Sequence, residues 1–445
     1  MRIQQIFILF CLHLTKEFVP LYLVTEMRVL IVNTSERTGG AAVAANRLMK
    51  ALNNNGVKAK MLVRDKETDA LTVVGLPKSP LLRWHFLWER FVVFCRLRFS
   101  RKHLFEVDIA NSGSDITKMR EFQEADVIHL HWINQGMLSL SGIRKILRSG
   151  KPVVWTMHDI WPATAICHVT LGCRSFTTQC HECRLLPGHG SKNDLSTSVW
   201  LKKHRLVEDG NIYYVACSRW LESEAKKSAL LKGQKVTSVP NPIDTHIYKK
   251  GDKLAARERL GLPKDKRLIL FASQRVTNEN KGMSYLIEAC QLLKDIPQLG
   301  LVILGGHAEE VVAQLPLASY PLGYVNEEQR IVDVYNAVDV FVLPSLSENL
   351  PNTIMEAMAC GVPCVGFKVG GIPEEIDHRR NGYVAEYRRA DDLAKGIRWI
   401  LTEADYEALS QHAVHKVAQN YSQQSVAMKY LDVYHQAMAF NNYRL

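Results

Sequence analysis

The stretch Asp339-Val-Phe-Val-Leu-Pro-Ser345, Leu346-Ser-Glu348-Asn-Leu-Pro-Asn-Thr-Ile-Met-Glu356-Ala-Met-Ala-Cys-Gly361, Val362-Pro-Cys-Val-Gly-Phe367 and Gly370-Gly-Ile-Pro-Glu374 decides the fold of this chain. Val340–Leu343 reads as a buried strand, and Pro351 and Gly361 bracket a helix at its first turn and its end. Glu348 then precedes the helix N-terminus and Glu356 lies inside the helix. Free amides at such a terminus bind phosphate, and a carboxylate one turn inside can take a vicinal diol. A second carboxylate, at the strand exit, can meet another polar ligand group. Together they suit a nucleotide sugar.

Outward from this stretch, strand-like runs at 267–272, 300–304, 340–343 and 364–367 predict one parallel sheet, and runs at 28–33, 59–63, 126–131, 152–157 and 212–216 predict another. Helix-like segments fall between them, as at 41–53 and 139–147, which argues two doubly wound α/β domains. Between the halves, Val239-Pro-Asn-Pro-Ile-Asp244 carries two prolines that can continue neither a helix nor a central strand, and reads as a hinge. Residues 423–439 have helical periodicity.

The glutamate pair resembles the Glu-x7-Glu signature of retaining glycosyltransferases of the GT-B fold, specifically family 4. The resemblance runs from Met27 nearly to the end, and Glu348-Asn-Leu-Pro-Asn352 with the cysteine cluster below is similar to the colanic-acid type of exopolysaccharide transferases. It implies two Rossmann-like domains facing a cleft: an acceptor-binding domain over 27–240, a nucleotide-sugar-binding domain over 241–420, and a C-terminal helix over 421–445 returning to the first domain. It also implies a UDP- or GDP-linked sugar as donor, a lipid-linked or growing saccharide as acceptor, and no catalytic metal. By position, Glu356 would hold the ribose and Glu348 the donor sugar. Arg275 and Lys281, similar to the family's Arg-x5-Lys element, would hold the diphosphate, and the backbone of Asn349, Leu350, Pro351, Asn352 and Thr353 would complete the pocket. Both glutamates are expected to face the cleft. Many family members carry Gly-Phe-Gly where Asn349-Leu350-Pro351 stands here.

Gly39-Gly40 follows the first strand and opens a helix, where glycines let backbone approach a ligand; it is similar to the family's glycine loop and is not the dinucleotide fingerprint. His129 and His131 end one strand, and His158-Asp159 end the next, at the carboxyl edge where open sheets bind ligands. His158 is the candidate catalytic histidine of this set. Cys167, Cys173, Cys180 and Cys183 form Cys-x5-Cys-x6-Cys-x2-Cys, whose last pair has zinc-knuckle spacing. They are read as a structural zinc site, with His168 or His181 as substitute ligands and reduced packing cysteines as the alternative.

The 445 residues, 47% hydrophobic, suffice for two cores. Residues 1–240 carry 34 lysines and arginines against 20 acids, and residues 241–445 carry 22 against 25, so the positive excess belongs to the first half. No zinc-finger, RNA-recognition or basic-zipper pattern accompanies it, so nucleic acid is not an expected partner. Residues 81–102 interleave Trp84, Phe86, Trp88, Phe91, Phe94 and Phe99 with Arg83, Arg90, Arg96, Arg98, Arg101 and Lys102, which suits an anionic membrane surface. No apolar run approaches the ~20 residues of a spanning helix. The expected location is cytoplasmic, peripheral on the inner face of the membrane. Residues 1–26, with an apolar run at 6–14, are read as an extension ahead of a start at Met27. Two other readings compete: a sugar-nucleotide epimerase of similar fold, and a catalytically silent binding subunit. Retention of both glutamates and both cations speaks against silence.

Overall fold

A computed structural model describes residues 27–442, so the predicted extension at 1–26 lies outside the described residues. Seven strands, β1 (Arg28–Ser35), β2 (Lys58–Asp65), β3 (Val73–Gly75), β4 (Val127–Leu130), β5 (Val153–Met157), β6 (Tyr213–Ala216) and β7 (Lys235–Ser238), form a sheet of order β3-β2-β1-β4-β5-β6-β7. Six more, β8 (Arg267–Arg275), β9 (Leu299–Gly306), β10 (Ala318–Gly323), β11 (Val340–Leu343), β12 (Cys364–Phe367) and β13 (Gly382–Ala385), form a second sheet of order β10-β9-β8-β11-β12-β13. Every pairing between these strands is parallel. The fold is the one the resemblance implies.

Alternation along the central strands builds a core on each face of each sheet. In β1, Val29 and Ile31 enter one cluster while Leu30 and Val32 enter the other. In β8, Leu268 and Leu270 face one side while Ile269 and Phe271 face the opposite one. Strand order reverses between β1 and β4 and between β8 and β11, and crevices open at the carboxyl ends there.

The helices that matter for the site are α1 (Gly40–Asn54), α2 (Pro80–Arg96), α3 (Leu140–Arg148), α4 (Leu195–Glu208), α5 (Arg219–Lys226), α6 (Asn352–Ala359) and α7 (Gln423–Asn442). In α7, Val426, Tyr430 and Tyr434 bury with Val29, Leu48 and Val154 of the first domain. The chain crosses between domains twice at one place, where Ile243 bridges Ser422 and its amide donates to the Tyr421 carbonyl (2.8 Å).

On α2 the arginines separate. Arg90 turns inward, 6% exposed, donating to the Leu104 and Val107 carbonyls (2.5 and 3.1 Å) and pairing with Asp108. It therefore does not belong with the membrane-facing cations: α2 must bury one face, and Glu89 and Arg90 occupy it. Leu81, Trp84, Leu87, Trp88 and Phe91 are exposed, as are Arg83 and Arg96 on α2 and Arg98, Phe99, Arg101 and Lys102 just beyond it. Trp84 and Trp88 stack at 5.9 Å. Among the described residues no helix is long and apolar enough to cross a membrane.

Candidate active site

After β11 the chain turns through Pro344–Pro351 and enters α6 with Pro351 as N-cap. Two glycines fit the turn to its neighbours. Gly282 adopts φ +73°, and a Cβ there would meet the Pro344 carbonyl oxygen at 1.9 Å; at Gly370, φ +58°, it would meet that of Glu348 at 1.7 Å. No side chain is tolerated at either position. The first contact seats the loop carrying Lys281, whose Nζ lies 2.5 Å from Glu348 Oε1. Arg275 stands exposed at the end of β8, donating to the Thr277 hydroxyl (3.1 Å).

Glu356 is elsewhere. It is 8% exposed and both its oxygens are engaged: Oε1 accepts from Arg47 Nη2 (2.7 Å) and Oε2 from the Tyr335 hydroxyl (2.8 Å). Arg47, from α1 of the other domain, lies over the Tyr248 ring at 4.9 Å, and its Nη1 is buried without a partner. Burial works against the Arg47 charge, yet Glu356 overrides it and raises the guanidinium pKa. Glu356 thus faces the first domain, where Arg47 covers its carboxylate.

The turn also binds the first domain. Asn349 Nδ2 donates to the His158 carbonyl (3.1 Å), and the Ser218 hydroxyl donates to Asn349 Oδ1 (2.6 Å). Asn352 Nδ2 donates to the Gly40 carbonyl (3.2 Å) and Asn241 Nδ2 to Asn352 Oδ1 (3.0 Å). Leu350 and Pro351 are buried and anchor the turn, while Asn352 and Thr353 stay half-buried at its end. Facing them, a cavity of about 670 Å³ is lined by Thr34, Gly39, Gly40, Trp132, His158 and Asp159. Gly39, at φ +92°, has open space where a side chain would stand.

The three histidines divide. His158 Nε2 lies 2.8 Å from His131 Nδ1 and its Nδ1 3.3 Å from Cys217 Sγ; burial lowers its pKa to about 4, so it is neutral at the cavity wall. His131 keeps a buried Nε2 without a partner. His129 points into the core, bonded to Thr156 Oγ1 (2.7 Å) and the Tyr434 hydroxyl (2.9 Å) of α7. It holds helix to sheet.

Behind the wall runs a charged network. Asp159 accepts from Trp132 Nε1 (3.1 Å), the Trp161 amide (2.8 Å) and His168 Nδ1 (2.8 Å); His168 Nε2 reaches Asp108 (2.6 Å), which pairs with Arg90. Burial opposes the proton on His168, yet Asp159 and Asp108 together push its pKa up to about 10. The folded value exceeds the ordinary 6.5, so this stabilisation is complete below about pH 6.5 and is lost as pH rises through about 10. His168→Gln is expected to melt well below the wild type at pH 7, with the gap closing as the buffer approaches pH 10. A gap independent of pH across that window would dismiss the charged pairing.

A family model described as Glycosyl transferases group 1 matches residues 252–416, and another, Glycosyltransferase Family 4, matches residues 38–247. The chain belongs to this glycosyltransferase family. An uncharacterized glycosyltransferase of Methanocaldococcus jannaschii is 32% identical over 195 residues, 42% of this chain and 49% of the relative. The chain spans about half the length of the curated relatives it matches. Sucrose-phosphate synthase of Thermosynechococcus elongatus superposes with a TM-score of 0.65 at 18% identity, covering 93% of this chain and 99% of that one. HepE of Anabaena, solved with UDP and glucose, gives 0.60 at 17% identity, covering 92% and 100%. At such identities the likeness shows the fold.

In this family 4 chain the four cysteines line one small cavity of about 30 Å³. Among the described residues, however, no group of three or more His, Cys, Asp or Glu has metal-holding geometry. Burial pushes the Cys167 thiol up to about 12 and the Cys180 thiol up to about 11. Sequence reasoning missed Arg47, Tyr335, Ser218 and Asn241. Arg47 left a signal: it is the one charge within the small and apolar run Ala41–Met49.

Proposed function

We propose that this chain moves a hexosyl unit from a UDP- or GDP-linked sugar to a lipid-linked or growing saccharide, with retention of configuration, in exopolysaccharide assembly of the colanic-acid type. The observation that carries the proposal is the pairing of Glu348, on the turn after β11, with Lys281, on the loop after β8, beside Asn349 and Asn352, which bond to the first domain at the cavity walled by His158. The solved complex of HepE with UDP and glucose supports the same donor class. Lys281 and Arg275 take the diphosphate and stabilise the charge that grows on it as the sugar leaves. Glu348 stands beside the anomeric carbon. The departing phosphate assists the acceptor hydroxyl on the same face, and neutral His158 orients a sugar hydroxyl without charging the cavity. Glu356 takes the ribose hydroxyls by exchanging them for Arg47 as the domains separate.

Incubation with a panel of nucleotide sugars and an extracted lipid acceptor tests this. Free nucleoside diphosphate and a lengthened saccharide are expected; an epimerised donor, or binding without turnover, would replace the proposal by one of its competitors.

The α2 face adds a location, peripheral on an anionic membrane. Its exposed rings suit headgroup depth, and the neighbouring cations suit acidic lipid. Arg96→Ser with Arg98→Ser and Arg101→Ser should weaken binding to anionic vesicles and leave melting unchanged, since all three are exposed. Arg90→Ser should instead lower the melting temperature. Wild-type binding unaffected by salt would exclude the electrostatic contact, which is screened over about 10 Å at 0.1 M.

A further inference from the structure

Glu374 ends the segment Gly370-Gly-Ile-Pro-Glu374 and takes no part in the pair at Glu348 or in the cavity at His158. Its carboxylate reaches into the other domain: Oε2 accepts from the Arg219 amide (2.9 Å) and Oε1 from the Trp220 amide (2.7 Å). These amides open α5, and the next two are satisfied nearer home. Leu221 donates to the hydroxyl of Ser218, the N-cap (3.0 Å), and Glu222 to the Ser218 carbonyl (3.0 Å). A helix leaves its opening amides without intrahelical acceptors and carries partial positive charge there, which a carboxylate offsets. Here the acceptor belongs to the other domain, so the end of α5 is completed only while the two domains touch.

The same contact is braced against the turn that carries Glu348. A Cβ on Gly371 would meet the Asn349 carbonyl oxygen at 2.0 Å and the Ser218 Cβ at 3.1 Å, so this glycine is wedged between the turn and the cap of α5. The Ser218 hydroxyl itself donates to Asn349. The Glu374 carbonyl accepts from the Tyr421 hydroxyl (3.2 Å), at the place where the chain crosses between domains. The segment 371–374 therefore links α5, the turn and the crossing. The link is also reversible. Arg47 and Glu356 are buried, and parting them strands two charges, whereas Glu374 lines a cavity of about 500 Å³ between the domains and its carboxylate rehydrates as they open. The Arg219 guanidinium adds little, since its Nε stands 3.5 Å from Oε2 and the side chain is 79% exposed.

We infer that Glu374 is a positioning residue for glycosyl transfer: it clamps the second domain onto the N-terminus of α5 and so holds the turn of Glu348 and Asn349 against the wall at His158. It acts through that turn and not on the reacting atoms. The inference rests on the reading that Glu348 acts on the donor sugar, and two of its three measurements need no transfer.

Glu374→Gln keeps the shape but turns an NH2 toward one of the two amides, losing that bond and the charge. Turnover is expected to fall about tenfold, the scale of one hydrogen bond to a charged group. Calorimetric binding of UDP and GDP should not weaken, because opening frees Glu356 from Arg47; general damage to the fold would weaken both. Small-angle X-ray scattering of the unliganded full chain should give a larger radius of gyration than the wild type. Arg219→Ser, which keeps both amides, should match the wild type in all three measurements. Wild-type turnover in Glu374→Gln, an unchanged radius, weakened nucleotide binding, or equal effects in Arg219→Ser would each overturn the inference. If the wild type itself transfers no sugar, the transfer reading fails, and the radius still decides whether the clamp exists.

Discussion

Glu348→Ala is expected to lower turnover by about 10²–10³-fold, the range for lost electrostatic stabilisation of a transition state, with a much smaller change in the donor Michaelis constant. The reason is position. Glu348 sits on the turn between β11 and α6 beside Lys281, at the mouth where charge would develop on the donor sugar as its bond to phosphate breaks. Melting should hardly move, because partly exposed ion pairs contribute about 0–1 kcal/mol and the ammonium left behind can rehydrate. Single-turnover measurements separate the chemical step from binding. Unchanged turnover with a productive donor and acceptor would remove Glu348 from the reaction.

Glu356→Ala is expected to fail in another way, by destabilising the protein. Its carboxylate neutralises Arg47 across the domain boundary and accepts from Tyr335. Alanine leaves a buried guanidinium uncompensated, a loss of about 3–5 kcal/mol. The melting temperature should fall by roughly 6–20 °C, at about 2–4 °C per kcal/mol for domains of this size. The donor Michaelis constant should rise at least as strongly as turnover falls, since a ribose contact is made about equally before and during reaction. Adding Arg47→Met to Glu356→Ala should recover much of the melting temperature without restoring donor affinity, because it removes the stranded charge and not the missing carboxylate. Full stability in Glu356→Ala alone would show that Arg47 does not depend on it.

The contrast between the two glutamates marks where reading residues in order stops. Spacing placed Glu348 before a helix and Glu356 inside it, and both positions are as read. Spacing could not show that Glu356 is bonded to a residue 309 positions away. The inward turn of Arg90 has the same origin: α2 is aromatic and basic around much of its circumference, and only the surface it covers determines which charge is buried. Likewise β3, β7, β10 and β13, absent from the sequence reading, are the four edges of the two sheets. Edges are covered on fewer sides, and β7 and β10 hold no fully buried residue, so they lack the continuous apolar runs that announce central strands.

By itself the sequence determined what local chemistry can impose. The doubly wound class follows from apolar runs alternating with helical periods, the break between the halves from two prolines, and the turn before α6 from a strand, a proline and a helix in succession. Tertiary structure decided which polar groups meet. It tied His129 to α7 and left His158 at the cavity wall, set Arg47 on Glu356, and joined α2 to Asp159 through Asp108 and His168. Those pairings depend on burial, which removes water as a competing partner and raises the cost of leaving a charge unpaired. Which partner is near enough is a property of the packed domains and of no stretch of chain alone.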